Sequence, residues 1–118
     1  MGYESKIIIA EKTDLDGKYF YSKIADVKMS KCDGEFLQIF NDYGKNIENE
    51  IYMDDEYTQT DKYGDILREV NIEVLKDGLN KIIATKENYR RYNVLKGLLD
   101  GFNPYEWNEN IVCIHYGY

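Results

Sequence analysis

The stretch from Ile7 to Met29, IIIAEKTDLDGKYFYSKIADVKM, decides the fold class. It opens inside a short apolar run, Tyr3 to Glu11, whose three consecutive isoleucines suit a strand buried on both faces. Asp14-Leu15-Asp16-Gly17 then breaks the run, and Asp-Gly is a strong turn signal because both residues tolerate positive φ. Beyond it, Tyr19, Tyr21, Lys23, Ala25, Val27 and Met29 alternate with their neighbours, so a second strand with those six on one face is expected. Two strands and a tight turn make a β-hairpin.

Outward from the hairpin the period changes. Phe36, Leu37 and Phe40 lie at helical spacing between Asp33-Gly34 and Tyr43-Gly44, which predicts a short helix over 35–42. Residues 50–53 make a brief strand candidate, and a polar stretch from Asp54 to Asp65 follows. From Asn71, apolar residues recur at Ile72, Leu75, Leu79, Ile82 and Ile83, one stripe of a helix with Asn71 as its cap. Gly78 lies inside that helix at a cost of about 1 kcal/mol against Ala. Tyr92, Leu95, Leu99 and Phe102 form the stripe of a further helix, capped by Asn88 and closed by Gly101 with Pro104. Ile111-Val112-Cys113-Ile114 reads as an inner strand. At 118 residues this is one domain. The expected fold is α+β, a small antiparallel sheet with two or three helices packed on one face.

The charge is concentrated. Of the net −7, the window Asp42–Asp65 carries −6: eight acidic residues against Lys45 and Lys62. No basic stripe exists to neutralise phosphates, which argues against direct nucleic-acid binding and against an anionic membrane surface. The opening residues lack a leader-like apolar run, and Cys32 and Cys113 lack CxxC spacing. A cytoplasmic protein with two reduced thiols is the expectation.

Chemistry-bearing motifs are sparse. His115 follows Cys113 by two residues, so on a strand they share a face roughly 7 Å apart, too far for a direct hydrogen bond. Nucleophilic catalysis would also need a third group to orient the base. Asp14-Leu15-Asp16-Gly17 resembles part of a calcium loop, but Ala25 stands where the bidentate acid belongs. No GxGxxG, Walker, HExxH or GxSxG motif occurs. No catalytic residue, metal ligand or cofactor is assigned.

Several pieces carry a resemblance. They are Gly2-Tyr3-Glu4-Ser5-Lys6, Asp61-Lys62-Tyr63-Gly64-Asp65 with Leu67 and Glu69, Tyr89-Arg90-Arg91, Trp107, and His115-Tyr116-Gly117-Tyr118. In these the chain resembles a family of small uncharacterised proteins encoded by tailed phages and prophages. The resemblance implies a phage accessory origin and a bacterial cytoplasm, and it brings no catalytic residues or ligands.

Function therefore rests on the acidic window. A charge run is by default a solvated face, yet here it is interleaved with tyrosines, a residue enriched at interfaces. The candidate binding residues are Glu48, Glu50, Tyr52, Asp54, Asp55, Glu56, Tyr57, Asp61, Tyr63 and Asp65. Such a face suits a basic protein partner of host or phage, with inhibition of a defence or nucleic-acid-processing protein as one form. The rivals are a virion structural or assembly protein and a small enzyme using Cys113, His115 or the carboxylates.

Overall fold

In the computed structural model, which describes residues 4–29, 34–53, 55–85, 90–102 and 110–118, the first hairpin closes at the expected turn. Strands β1 (Ser5–Leu15) and β2 (Lys18–Lys28) pair antiparallel through Leu15 and Lys18. Asp16 and Gly17 have φ of 54° and 84°, the left-handed pair that a two-residue turn requires. The Gly17 N–H donates to the Asp14 carboxylate at 3.0 Å.

The face assignment of β2 needs correction. Ile9 pairs with Ala25, but Ala10 pairs with Lys23, so Ile24 is an extra residue, a β-bulge. Side chains alternate with a period of two, and one inserted residue reverses the alternation. Tyr19 and Tyr21 therefore point to one face of the sheet, whereas Val27 and Met29 pack on the other. The uninterrupted six-residue stripe does not exist.

Helix α1 (Gly34–Tyr43), strands β3 (Lys45–Asn46), β4 (Ile51–Met53), β5 (Glu56–Thr58) and β6 (Arg68–Asn71), helices α2 (Ile72–Thr85) and α3 (Arg90–Asp100), and strand β7 (Ile111–Gly117) follow. Asn71 caps α2 as expected, its side-chain oxygen accepting the Glu73 N–H at 2.8 Å. The Asn88 cap and the Pro104 stop fall outside the described residues.

Among the described residues the sheet has seven strands in the order β3-β6-β7-β1-β2-β4-β5. The class is α+β, but the sheet is larger than a small antiparallel one, and β2 and β4 run parallel. Strands β3, β5 and β6 span two, three and four residues, too short to show a period in the sequence. Tertiary pairing creates them.

Two apolar cores sandwich the sheet. On the helix side, Ile7, Ile9, Val70, Ile111 and Cys113 pack against Phe36, Phe40, Leu75, Leu79, Tyr92, Leu95 and Leu99. Each such large side chain contributes roughly 1.5–3 kcal/mol on burial. On the opposite face, Ile8, Ala10, Tyr21, Val112, Ile114 and Tyr116 pack with Ile47, Ile51 and Leu67, and among the described residues no helix residue takes part in that core. The alternation of Ile7, Ile8 and Ile9 between the cores is what a central strand with both faces covered demands. Among the described residues no helix is long and apolar enough to cross a membrane.

Candidate functional site

The loop-covered face holds a buried carboxylate. Glu69 sits on β6 between Arg68 and Val70, with its side chain 2% exposed. The Lys12 ammonium on β1 reaches it at 2.6 Å and Glu48 at 2.8 Å, and Lys45 stands 3.7 Å from Glu69. The Tyr21 hydroxyl donates to the other Glu69 oxygen and accepts the Glu48 N–H at 3.0 Å. Lys12 also lies 4.3 Å from the centre of the Tyr19 ring.

Proton affinities in this cluster are strongly tuned. Burial works against the Lys12 ammonium, but its bonds to Glu48 and Glu69 outweigh that and hold its pKa above the ordinary value. Burial, helped by the bond to Glu69, raises the Tyr21 phenol. The bond from Lys12 lowers the Glu48 carboxyl. Lys12 thus stays charged, Tyr21 stays protonated and Glu48 stays ionised across neutral pH. Such a cluster holds protons rather than exchanging them, and it pins residues 45–48 to the sheet.

The acidic window is divided by this arrangement. Glu48 belongs to the Lys12 cluster. Glu50, Tyr52, Asp55 and Tyr57 line one groove with Phe20, Tyr21, Ser22 and Lys23, a cavity of about 560 Å³. Tyr52 and Tyr57, cross-strand partners on β4 and β5, have ring centres 4.9 Å apart at 57°, and both rings are largely exposed. Glu56 is drawn to Lys62 at 3.3 Å. Asp54 lies outside the described residues.

Asp61, Tyr63 and Asp65 occupy a separate loop. One Asp61 oxygen accepts the N–H groups of Tyr63 and Asp65 at 2.9 and 3.0 Å, and Gly64 turns the chain at φ 87°. The loop is tied to the end of the chain: the Lys62 N–H donates to the Gly117 carbonyl at 3.0 Å, and the Tyr63 hydroxyl to the Tyr118 carbonyl at 2.8 Å. Asp61 and Asp65 line a second cavity, with Arg68 and His115, on the helix side of the sheet. The nine described candidates therefore do not share one outlook: Glu50, Tyr52, Asp55 and Tyr57 converge on the groove, and Glu48, Glu56, Asp61, Tyr63 and Asp65 make their contacts elsewhere.

Cys113 is a free thiol sealed in the helix-side core, and burial pushes it up to about 12. A thiol in that state is not a nucleophile near neutral pH. His115 is partly exposed, 5.7 Å centre to centre from Phe40; burial lowers its pKa against an opposing pull from Asp61. Among the described residues no three His, Cys, Asp or Glu side chains are grouped to hold a metal ion.

Sequence reasoning missed Glu69, Lys12 and Tyr21 as a unit, and missed Phe20 as a groove wall. Nothing local signals them: Glu69 and Lys12 are 57 positions apart and meet only through β7, the strand between theirs. No family model matches the chain, and neither a curated protein nor a solved structure matches it.

Proposed function

We propose that the protein binds a basic segment of a protein partner in the groove between Phe20 and the Tyr52–Tyr57 pair. The carrying observation is the pairing of exposed rings with two carboxylates, those of Glu50 and Asp55, that form no ion pair among the described residues. Lys23, the one cation among the described residues that line the groove, is held by Asp26 at 2.7 Å. A lysine or arginine of the partner would lay its stem on the tyrosine rings and its charge against Glu50 or Asp55. Strand β5 ends the sheet order among the described residues, so its outer edge can extend pairing to an incoming strand. The resemblance implies a phage accessory origin, and a host or phage protein as the partner belongs to the same reading.

The test is capture from lysate of the cells that carry the gene, repeated with Glu50→Lys/Asp55→Lys and with Tyr52→Ala/Tyr57→Ala. A partner lost with both variants and weakened by added salt is expected, with the tyrosine pair worth at least tenfold in affinity, about 1.4 kcal/mol. Retention unchanged by both variants overturns the reading. Light scattering that shows a defined higher oligomer, abolished by the tyrosine variant, replaces it with self-assembly, the virion-component alternative.

A further inference from the structure

The cavity at the other end of the sheet is built differently from the groove. It holds about 490 Å³, within the usual range for small-molecule sites. Arg68 and His115, direct cross-strand partners on β6 and β7, form its floor. Leu37 and Phe40 of α1 supply an apolar wall, and the loop carrying Asp61, Asp65 and Ile66 supplies the other.

Two properties make this a recognition site rather than a crevice. First, its charged groups are kept apart. Among the described residues Arg68 forms no ion pair, and neither Asp61 nor Asp65 is bonded to it, although all three face one cavity. A guanidinium and two carboxylates free to collapse on each other would gain by pairing, yet among the described residues these three line one cavity without an ion pair. Second, the acidic wall is fixed by the internal bonds of Asp61, by Leu67 N–H to the Gln59 carbonyl at 2.8 Å, and by the ties to Gly117 and Tyr118. A preset wall loses little freedom when a ligand arrives.

From this we infer that the Arg68–His115 cavity binds a small zwitterion with an apolar body, a free amino acid or a dipeptide. The ligand carboxylate would take the planar fork of Arg68. Its ammonium would face Asp61 and Asp65, and its side chain would lie against Leu37, Phe40 and Ile66. The Asn41 and Asn46 amides at the rim can donate to or accept from the remaining polar atoms. This site is independent of the tyrosine groove.

The experiment is a titration of the full chain followed by backbone-amide and imidazole NMR, with four probes: L-leucine, L-leucyl-L-leucine, L-leucinamide and N-acetyl-L-leucine. Saturable shifts at Arg68, His115 and Asn46 are expected with L-leucine or the dipeptide, and the tighter of the two identifies the ligand class. Removing the carboxylate or the ammonium should weaken binding about tenfold or more, as losing a charge-assisted bond does. Arg68→Gln, at an exposed position, should remove the preference for L-leucine over L-leucinamide. The inference is overturned if no probe gives saturable shifts at these residues up to its solubility limit, or if both capped probes bind as tightly as L-leucine. Should Arg68→Gln fail to fold, the capped probes decide the matter on the unaltered chain.

Discussion

The two faces of the central sheet are covered by different means, and each cover dictates what can lie beneath it. On the helix side, α1, α2 and α3 lay side chains on the strands, and among the described residues the buried cluster there is built of aliphatic and aromatic side chains with the Cys113 thiol and no charged group. Helices satisfy their own backbone groups, so they can cover a sheet without bringing polar atoms to it. The opposite face is covered by Ile47, Ile51 and Leu67, carried on or beside the short strands β3, β4 and β6. Such a cover must find partners for its backbone: the Tyr21 hydroxyl accepts the Glu48 N–H, and in return the Asn49 side chain donates to the Tyr19 carbonyl of β2. The Lys12–Glu69–Tyr21 cluster lies at that junction. On this face ions fasten the cover in addition to its own apolar core.

Breaking the cluster should have the largest effect. Glu69→Ala leaves the Lys12 ammonium, 11% exposed, beside Glu48 alone, and losing one member of a buried pair costs about 3–5 kcal/mol. Urea unfolding checks this. Adding Lys12→Met should recover part of the loss, because the second change removes the stranded charge. If Glu69→Ala is as mild as a surface substitution, the ion cluster is not what fastens this cover.

A smaller effect sharpens the picture of the helix layer. A Cβ on Gly78 would stand 2.5 Å from the Cδ1 of Ile39, so α1 and α2 approach closely where α2 has no side chain. Helix propensity favours Ala over Gly by about 1 kcal/mol, but overpacking costs roughly 1–3 kcal/mol. Gly78→Ala should therefore lower the melting temperature. Combining it with Ile39→Val, which deletes the nearest atom, should restore part of it.

The smallest effect depends on pH. His115 has a pKa lowered from about 6.5 by burial, so the folded chain binds its proton less readily than the unfolded chain. Its contribution to stability is complete above pH 6.5 and is lost as pH falls through the lowered value. The slope cannot exceed about 1.4 kcal/mol per pH unit for one group. Unfolding free energies measured from pH 7.5 downward should show this fall, and His115→Gln should flatten it between pH 7 and the onset of carboxylate titration.

Much of this was legible in the residues themselves. The Asp16-Gly17 turn, the Asn71 cap and the stripe from Ile72 to Ile83 are local features, where chemistry within one turn fixes the backbone. The bulge at Ile24 was not, since Ser22-Lys23-Ile24-Ala25 carries no Gly to mark it. The tyrosines of the acidic window were visible as candidates, but their division between groove and loop was not. Charge density along a chain does not say which way a side chain faces.

Composition and short-range spacing by themselves determined an α+β domain with a hairpin at its start and two amphipathic helices in its second half, because turns, caps and stripes are settled by neighbours a few positions away. Tertiary structure alone decided that Glu69 would be buried, that Glu48 would join it, and that Arg68 and His115 would share a cavity with Asp61 and Asp65. Those groups meet across strands whose order in the sheet differs from their order in the chain. Contacts of that kind follow from the global minimum of packing and pairing rather than from any local preference.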